Sequence, residues 1–511
     1  MVKDLVYLTL APWRPTREPC LDLAFEAVGA DVFARHHRLR GHEVCFVAAA
    51  LEQGRAVERA AYERGGTPQG LVEQWAERML ATLAALDVTH DDLVRTTEAR
   101  HQRVAKALFL KLFDKGDVYK GTREGSYCAR CEEFEANEAP PGTPCPACGQ
   151  PLATATEAAY FFRASKYQRA VVEWLQGHRG AIQPAERGKA VLDSIAAAGV
   201  ADVCISRAGH EWAIGVPIDP DHAIDSWFDA LVSYLTTSDY LADPQVFERC
   251  WPPDVQVIGL EDLRVHAVAW PAVLLALGLP LPERLIVRGG LELEAAEPRR
   301  AADCAPGPLA ARFGADALRH ALLRSVDYAA GGRLSQAQLL EPASGPLTEG
   351  LGALVETTLG AIEGLRGGRV PRPGGLGAAE QEVAEAASRL FDLTGRLIDE
   401  FDFRGALAHL KAATDKTLRY AEAAGLAAPD GGASAARRLD TALYVLAEAC
   451  RLIAHSLEPF LPGLAAEIRG RFGVETRRKA SADDAAWGIT QPQTLIRRGG
   501  PLLASLAPRA D

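Results

Sequence analysis

Apolar positions recur with two different periods along the chain, and the change of period divides it. From Val6 to about Tyr119, short continuous apolar runs alternate with stretches of helical spacing. "LVYLTLA" and "EVCFVAAA" read as buried strands; Leu21 to Arg40, "LVEQWAERMLATLAAL" and "RVAKALFLKLFDKG" read as helices. Strand, helix, strand in this order predicts one half of a parallel sheet of the kind that binds nucleotides. The texture breaks off until about Asp202 and then returns after "VCISR". "VQVIGL" and "RLIVRG" follow as strands, with "IDSWFDALVSYL" and the helix "RVHAVAWPAVLLALGL" among them. An insertion within a split sheet accounts for both halves. Beyond about Gly345 only helical spacing remains, in "GLGALVETTLGAIEGL", "AEQEVAEAASRLFDLTGRLIDEF" and "ARRLDTALYVLAEACRLIAHSLEPFL". "RGGRVPRPGGLG" and "LAAPDGGASA" are too rich in Gly and Pro for anything but loops, so this part is predicted to be a helical bundle.

Composition narrows the picture. With 511 residues, 48% hydrophobic and 24% charged, the chain is expected to fold into roughly two to four domains. No stretch reaches the roughly 18 uninterrupted apolar residues of a membrane span, and the run in "MVKDLVYLTL" is too short for a signal peptide. A cytoplasmic location and no membrane partner are therefore expected. The net charge of -11 argues against a generally basic nucleic-acid-binding surface, so any such binding must come from a local site.

Ten cysteines are present, and four of them gather in "YCARCEEFEANEAPPGTPCPACGQPL". Cys128 and Cys131 form one C-x-x-C pair, Cys145 and Cys148 a second. Two such turns can offer four thiolates to one zinc ion tetrahedrally. Two redox or disulfide pairs are the alternative, but a reducing compartment and the Pro/Gly-rich turns favour a closed, structural zinc without catalytic work.

Taken in order, "ADVFARHHRLRG", "DVYKGTREGSYCARCEEF", "YFFRASKYQ", "VCISR", "DSWFDALVSYL", "HAVAWPAVLLALGLPLP" and "RFGADALRHALLR" carry a resemblance. Over nearly its whole length the chain resembles bacterial methionyl-tRNA synthetase, a class I aminoacyl-tRNA synthetase. The resemblance implies an α/β Rossmann catalytic domain over 1–118 and 204–290, split by a zinc-bearing connective insertion over 119–203. A stem-contact region over 291–345 and an α-helical anticodon-binding-like bundle over 346–511 would follow.

The family's site motifs are altered. Where HIGH opens the helix leading into "ADVFARHHRLRG", this chain has Cys20-Leu21-Asp22-Leu23. The family's histidines stabilise charge building on the ATP α-phosphate, and its glycine lets adenine approach the backbone; leucines and a carboxylate reverse both conditions. Where KMSKS is expected stands Glu297-Pro298-Arg299-Arg300-Ala301, in which Arg299 and Arg300 could replace lysines by charge while Pro298 stiffens the loop. The GTDEHG segment reads "AAALEQG", with Leu51 in place of the aspartate that holds the substrate ammonium. Trp227, Ala230, Tyr234, His266 and Trp270 match the family's amino-acid pocket, whereas Pro12, Arg14 and Asp262 depart from it. At the anticodon end the family's Ala-Pro-Trp is matched by Gly425-Leu426-Ala427, a loss of about 1–3 kcal/mol of base stacking.

These departures put ATP in doubt as a cofactor beside zinc. They imply a paralogue that no longer activates methionine in the ordinary way and is repurposed in biosynthesis of amino-acid-derived small molecules. Its expected partners are a small polar or amino-acid-like ligand and a biosynthetic protein, with tRNA not expected. A non-catalytic scaffold and a working methionine–tRNA ligase are the alternatives. At residue level, His266 could be a hydrogen-bonded core histidine, Trp227 and Tyr234 ordinary core, and Cys20 a buried inert thiol.

Overall fold

A computed structural model of the chain describes residues 5–294 except 17, 130–132, 136–138, 147, 179, 210 and 239, and residues 305–502 except 336–337, 339–345, 428–431, 475–480 and 501. The chain packs as two units. One comprises Met1–Glu18, Cys45–Leu80 and His90–Val287; the other Pro19–Val44, Ala81–Thr89 and Arg288–Asp511.

The first unit is organised by a six-stranded sheet. Its strands β1 (Leu5–Leu10), β2 (Glu43–Ala50) and β3 (Asp92–Arg95) come from before the insertion; Val255–Gly259 and Leu285–Arg288 come from after it. The order is β3, β2, β1, Val255–Gly259, Leu285–Arg288, then the two-residue strand Ile182–Gln183. β1 runs parallel to Val255–Gly259, with Leu8 opposite Val255. Tyr7, Leu8 and Leu10 are buried on both faces of β1, which is why it reads as an unbroken apolar run. The insertion carries two long antiparallel strands, Val118–Cys128 and Ala153–Phe162, in unbroken register from Val118 opposite Phe162 to Tyr127 opposite Ala153. Tyr7, Phe109, Phe162, Phe228 and Trp270 share one continuous core.

The stretch predicted as one α-helix from Arg264 onward is not uniform. Val265–Ala269 forms a π-helical turn, and the α-helix proper is Trp270–Leu277, closed by Gly278 in the left-handed conformation. Pro271 has no N–H to give the carbonyl four residues back and crowds it, so the ladder widens where His266 sits.

The second unit holds α1 (Leu21–Leu39) and the helices Pro346–Arg366, Ala378–Ser388, Leu390–Asp399, Phe403–Ala424, Gly432–Leu457 and Pro462–Arg471. Every residue of α1 from Leu21 to Ala34 is buried, so its small residues are steric requirements. A Cβ on Gly29 would fall 2.3 Å from the Tyr328 ring. Phe33 stacks on Phe401 with ring centroids 5.3 Å apart. Arg319 and Asp31, both fully buried, pair at 2.7 Å, and Arg319 also donates to the carbonyls of Pro459 and Phe460. Burial pushes the Asp31 carboxyl up, but Arg319 and Arg35 outweigh it and hold it below the usual carboxylate range. Among the described residues no helix is long and apolar enough to cross a membrane.

Candidate active site

In the first unit, the end of β1 and the end of β2 are laced together. Trp13 N–H donates to Ala49 O and Leu51 N–H to Trp13 O, each at 2.8 Å, which sets Arg14 beside Leu51 and Pro12 beside Ala49. Leu51 is buried and Pro12 half-buried, while Arg14 is exposed. The next residue, Glu52, is fully buried; it accepts from Arg95 Nε at 2.7 Å and from Thr97, and its carbonyl accepts from Trp212 Nε1 at 2.7 Å. Motif comparison missed this clamp, because Arg95, Thr97 and Trp212 lie outside the segment compared.

The helix Ser226–Thr237 brings Trp227, Ala230 and Tyr234 onto one side, as spacing of three and four residues requires. Its N-terminus is capped by Asp225, whose carboxylate accepts from Trp227 N–H. Trp227 Nε1 donates to Cys204 O at 2.7 Å, and Tyr7 Oη donates to Tyr234 O at 2.7 Å. Tyr234 Oη and His266 Nε2 lie 2.9 Å apart, and His266 Nδ1 lies 2.9 Å from Asp262 O. Burial holds the His266 imidazole below its ordinary value, so it is neutral. A carbonyl can only accept, so Nδ1 carries the proton and Tyr234 donates to Nε2. The Trp270 and Tyr234 ring centroids are 6.3 Å apart, and the buried indole N–H of Trp270 has no hydrogen-bond partner among the described residues. The result is a neutral, aromatic wall with one unspent donor. Arg14 and Asp262 form no ion pair with each other or with any other described residue.

In the second unit, Cys20 is the N-cap of α1 and gives no side-chain cap. Leu21 and Leu23 are buried, and Asp22 enters a dense ionic cluster. Arg288 grips Asp22 with both terminal nitrogens, at 2.6 and 3.0 Å, and Glu26 through Nε at 2.7 Å. Leu291 N–H adds a bond to Asp22 at 2.8 Å. The Arg288 side chain is 2% exposed. Burial alone would lower the basicity of this guanidinium, yet Glu26 and Asp22 together raise it. The signal for Arg288 was present in the sequence as two acids one helical turn apart on a helix otherwise made of small and apolar residues, an arrangement that demands a buried cation.

The Sγ atoms of Cys128, Cys145 and Cys148 lie within 4.8 Å of one another, with Cys128 and Cys148 at 3.4 Å. Thiolates converging this closely suit a tetrahedral metal ion. Cys131 and the segment Glu297, Pro298, Arg299, Arg300 and Ala301 lie outside the described residues. Gly425-Leu426-Ala427 forms the turn that ends the helix Phe403–Ala424, with Gly425 left-handed and no aromatic side chain at the three positions.

The family described as tRNA synthetases class I (M) matches residues 15–158 and 144–359. A methionine–tRNA ligase of Caldanaerobacter subterraneus is 32% identical over 513 residues, covering 100% of this chain and 80% of its own. The chain belongs to the methionyl-tRNA synthetase family. A second relative of that name, from Thermosynechococcus vestitus, is 31% identical over 96% of this chain and 95% of its own. Among solved structures, Mycobacterium tuberculosis methionyl-tRNA synthetase in complex with methionyl-adenylate matches with a TM-score of 0.90 and 27% identity, over 98% of this chain and 99% of that one. The class I α/β fold with a helical C-terminal region follows.

Membership corrects the partners expected from the altered motifs. A tRNA-free role with a small polar ligand and a biosynthetic protein partner is overturned by relatives that match 96–100% of this chain and are named as ligases of methionine to tRNA. Two physical reasons explain the error. Arg14 and Asp262, whose introduced charges suggested a polar ligand, form no ion pair among the described residues, and Arg14 is exposed. One lost stacking contact of about 1–3 kcal/mol is also a small part of any protein–RNA interface. The relatives favour the working-ligase alternative over repurposing.

Proposed function

We propose that the chain works as a methionine–tRNA ligase. The methionine carboxylate attacks the α-phosphate of ATP and pyrophosphate leaves; the methionyl group then passes from the adenylate to a terminal ribose hydroxyl of tRNA, and AMP leaves. The observation that carries this reading is the likeness over 98% of the chain to a synthetase holding methionyl-adenylate. On this reading Trp227, Ala230, Tyr234 and Trp270 wall the methionine side chain. His266, neutral and held by Tyr234, sets their positions. Cys128, Cys131, Cys145 and Cys148 hold a structural zinc that stiffens the insertion, and Arg299 and Arg300 supply the charge that lysines supply in KMSKS.

A second reading rests on one observation, the saturation of Asp22 by Arg288. With Cys20 and Leu23 where the family has its two imidazoles, and the saturated Asp22 where it has glycine, the transition-state charge loses its donors at the start of α1. In that case methionine binds and activation fails. Methionine-dependent exchange of pyrophosphate into ATP, with tRNA charging and methionine binding measured in parallel, separates the two. Exchange with charging supports the ligase; binding without exchange supports the second reading.

A further inference from the structure

Helix α1 ends in a turn that brings two imidazoles together. Arg40 is its C-cap, and Gly41 follows with φ of 88°, in the left-handed region. Gly41 N–H donates to Arg38 O at 3.0 Å and His42 N–H to His37 O at 3.1 Å. This is the Schellman arrangement, whose geometry sets the second residue after the cap against the residue three before it. That contact is commonly apolar; here it joins His42 to His37. The two rings stack with centroids 5.1 Å apart, and their Nδ1 atoms are 2.9 Å apart.

The other nitrogen of His37 is already committed. Nε2 lies 2.9 Å from Asp399 Oδ1, so it carries the proton donated to that carboxylate. The Nδ1 of His37 is then a lone pair facing His42 Nδ1. A carboxylate behind one imidazole, leaving the opposite nitrogen basic, is the arrangement that orients metal-binding histidines. Two nitrogens each about 2.1 Å from one ion and at right angles to each other stand about 3.0 Å apart, against roughly 3.4 Å for tetrahedral ligands. The observed separation matches the right-angled case, which Ni(II) and Cu(II) favour. His42 is exposed, so the remaining coordination positions open to water. The neighbouring imidazole of His36 is fully buried, its ring centroid 5.8 Å from that of His37 and the two rings nearly perpendicular.

We propose that His37 and His42 form a surface site for a divalent transition-metal ion, separate from the cysteine cluster, with Asp399 orienting His37. Occupation ties the end of α1 more firmly to the helix Leu390–Asp399. Full-length protein with its cysteine site filled by zinc is titrated with Ni(II), by calorimetry and by thermal unfolding. One further ion per chain is expected to bind and raise the melting temperature. His42→Ala keeps Gly41 and hence the turn; it and His37→Ala are expected to lower Ni(II) affinity by about tenfold or more. Asp399→Asn is expected to lower it about 10–100-fold. Absence of bound Ni(II), or equal binding by wild type and His42→Ala, would overturn the site and leave the pair as a histidine–histidine hydrogen bond.

Discussion

The aromatic wall of the first unit and the first turn of α1 in the second both bury polar groups, and they do so in opposite ways. Around Tyr234 the groups are neutral, joined by single hydrogen bonds, and the Trp270 N–H is left over. Around Asp22 the groups are charged, and Arg288 spends all three of its nitrogens on two carboxylates. A neutral network with a spare donor costs little to rearrange around a ligand. A saturated ion cluster costs much, because each charge removed strands another in a medium that cannot solvate it. The two regions therefore differ in what they can give up: one keeps a donor it can spend, and the other fastens α1 to the strand Leu291–Glu294.

The contrast can be broken most forcefully at Arg288. Arg288→Met leaves Asp22 and Glu26 buried without their cation, and should cost about 3–5 kcal/mol of stability by urea unfolding. A loss below about 1 kcal/mol would mean that the cluster is not a fastener. The next effect in size comes from acid. Burial holds the imidazoles of His36 and His455 down to about 3 and about 4, and neither has a hydrogen-bond partner among the described residues. Both are neutral when folded, whereas the unfolded chain takes up protons as pH falls through about 6.5. Stability should then fall by about 1.4 kcal/mol per pH unit for each histidine, from about pH 6 down toward their folded values. Urea midpoints at pH 7.5 and 5.5 check this; His36→Phe should flatten part of the slope. The smallest effect belongs to the neutral wall. Tyr234→Phe removes one buried bond worth about 1–2 kcal/mol and should raise KM for methionine about tenfold while kcat changes less. A tenfold loss in kcat at unchanged KM would place Tyr234 in the chemistry instead.

Much of the fold was legible because its signals are local. Unbroken apolar runs marked β1 and β2, helical spacing beyond Gly345 marked the bundle, and paired C-x-x-C turns marked the cysteine cluster. What stayed hidden depends on distant partners. Asp22 could be read as a charge repelling phosphate, but the residue that neutralises it is 266 positions away. Gly29 looked like an ordinary helix residue until Tyr328 was found against it. Nothing in residues 21–39 alone says that α1 packs in the same unit as the C-terminal helices. The π turn at His266 was within reach, since Pro271 announces a broken ladder, but periodicity averages over such a turn. Family matching singled out Tyr234 and His266 as separate positions, whereas their pairing shows only in the three-dimensional structure.

The central claim is that the chain still makes methionyl-adenylate despite the altered start of α1. It is tested most directly by methionine-dependent exchange of labelled pyrophosphate into ATP, using zinc-loaded protein and saturating methionine. The proposed ligase gives exchange that requires methionine and weakens in Tyr234→Phe at subsaturating methionine. Protein that binds methionine but shows no exchange above the methionine-free background would contradict it.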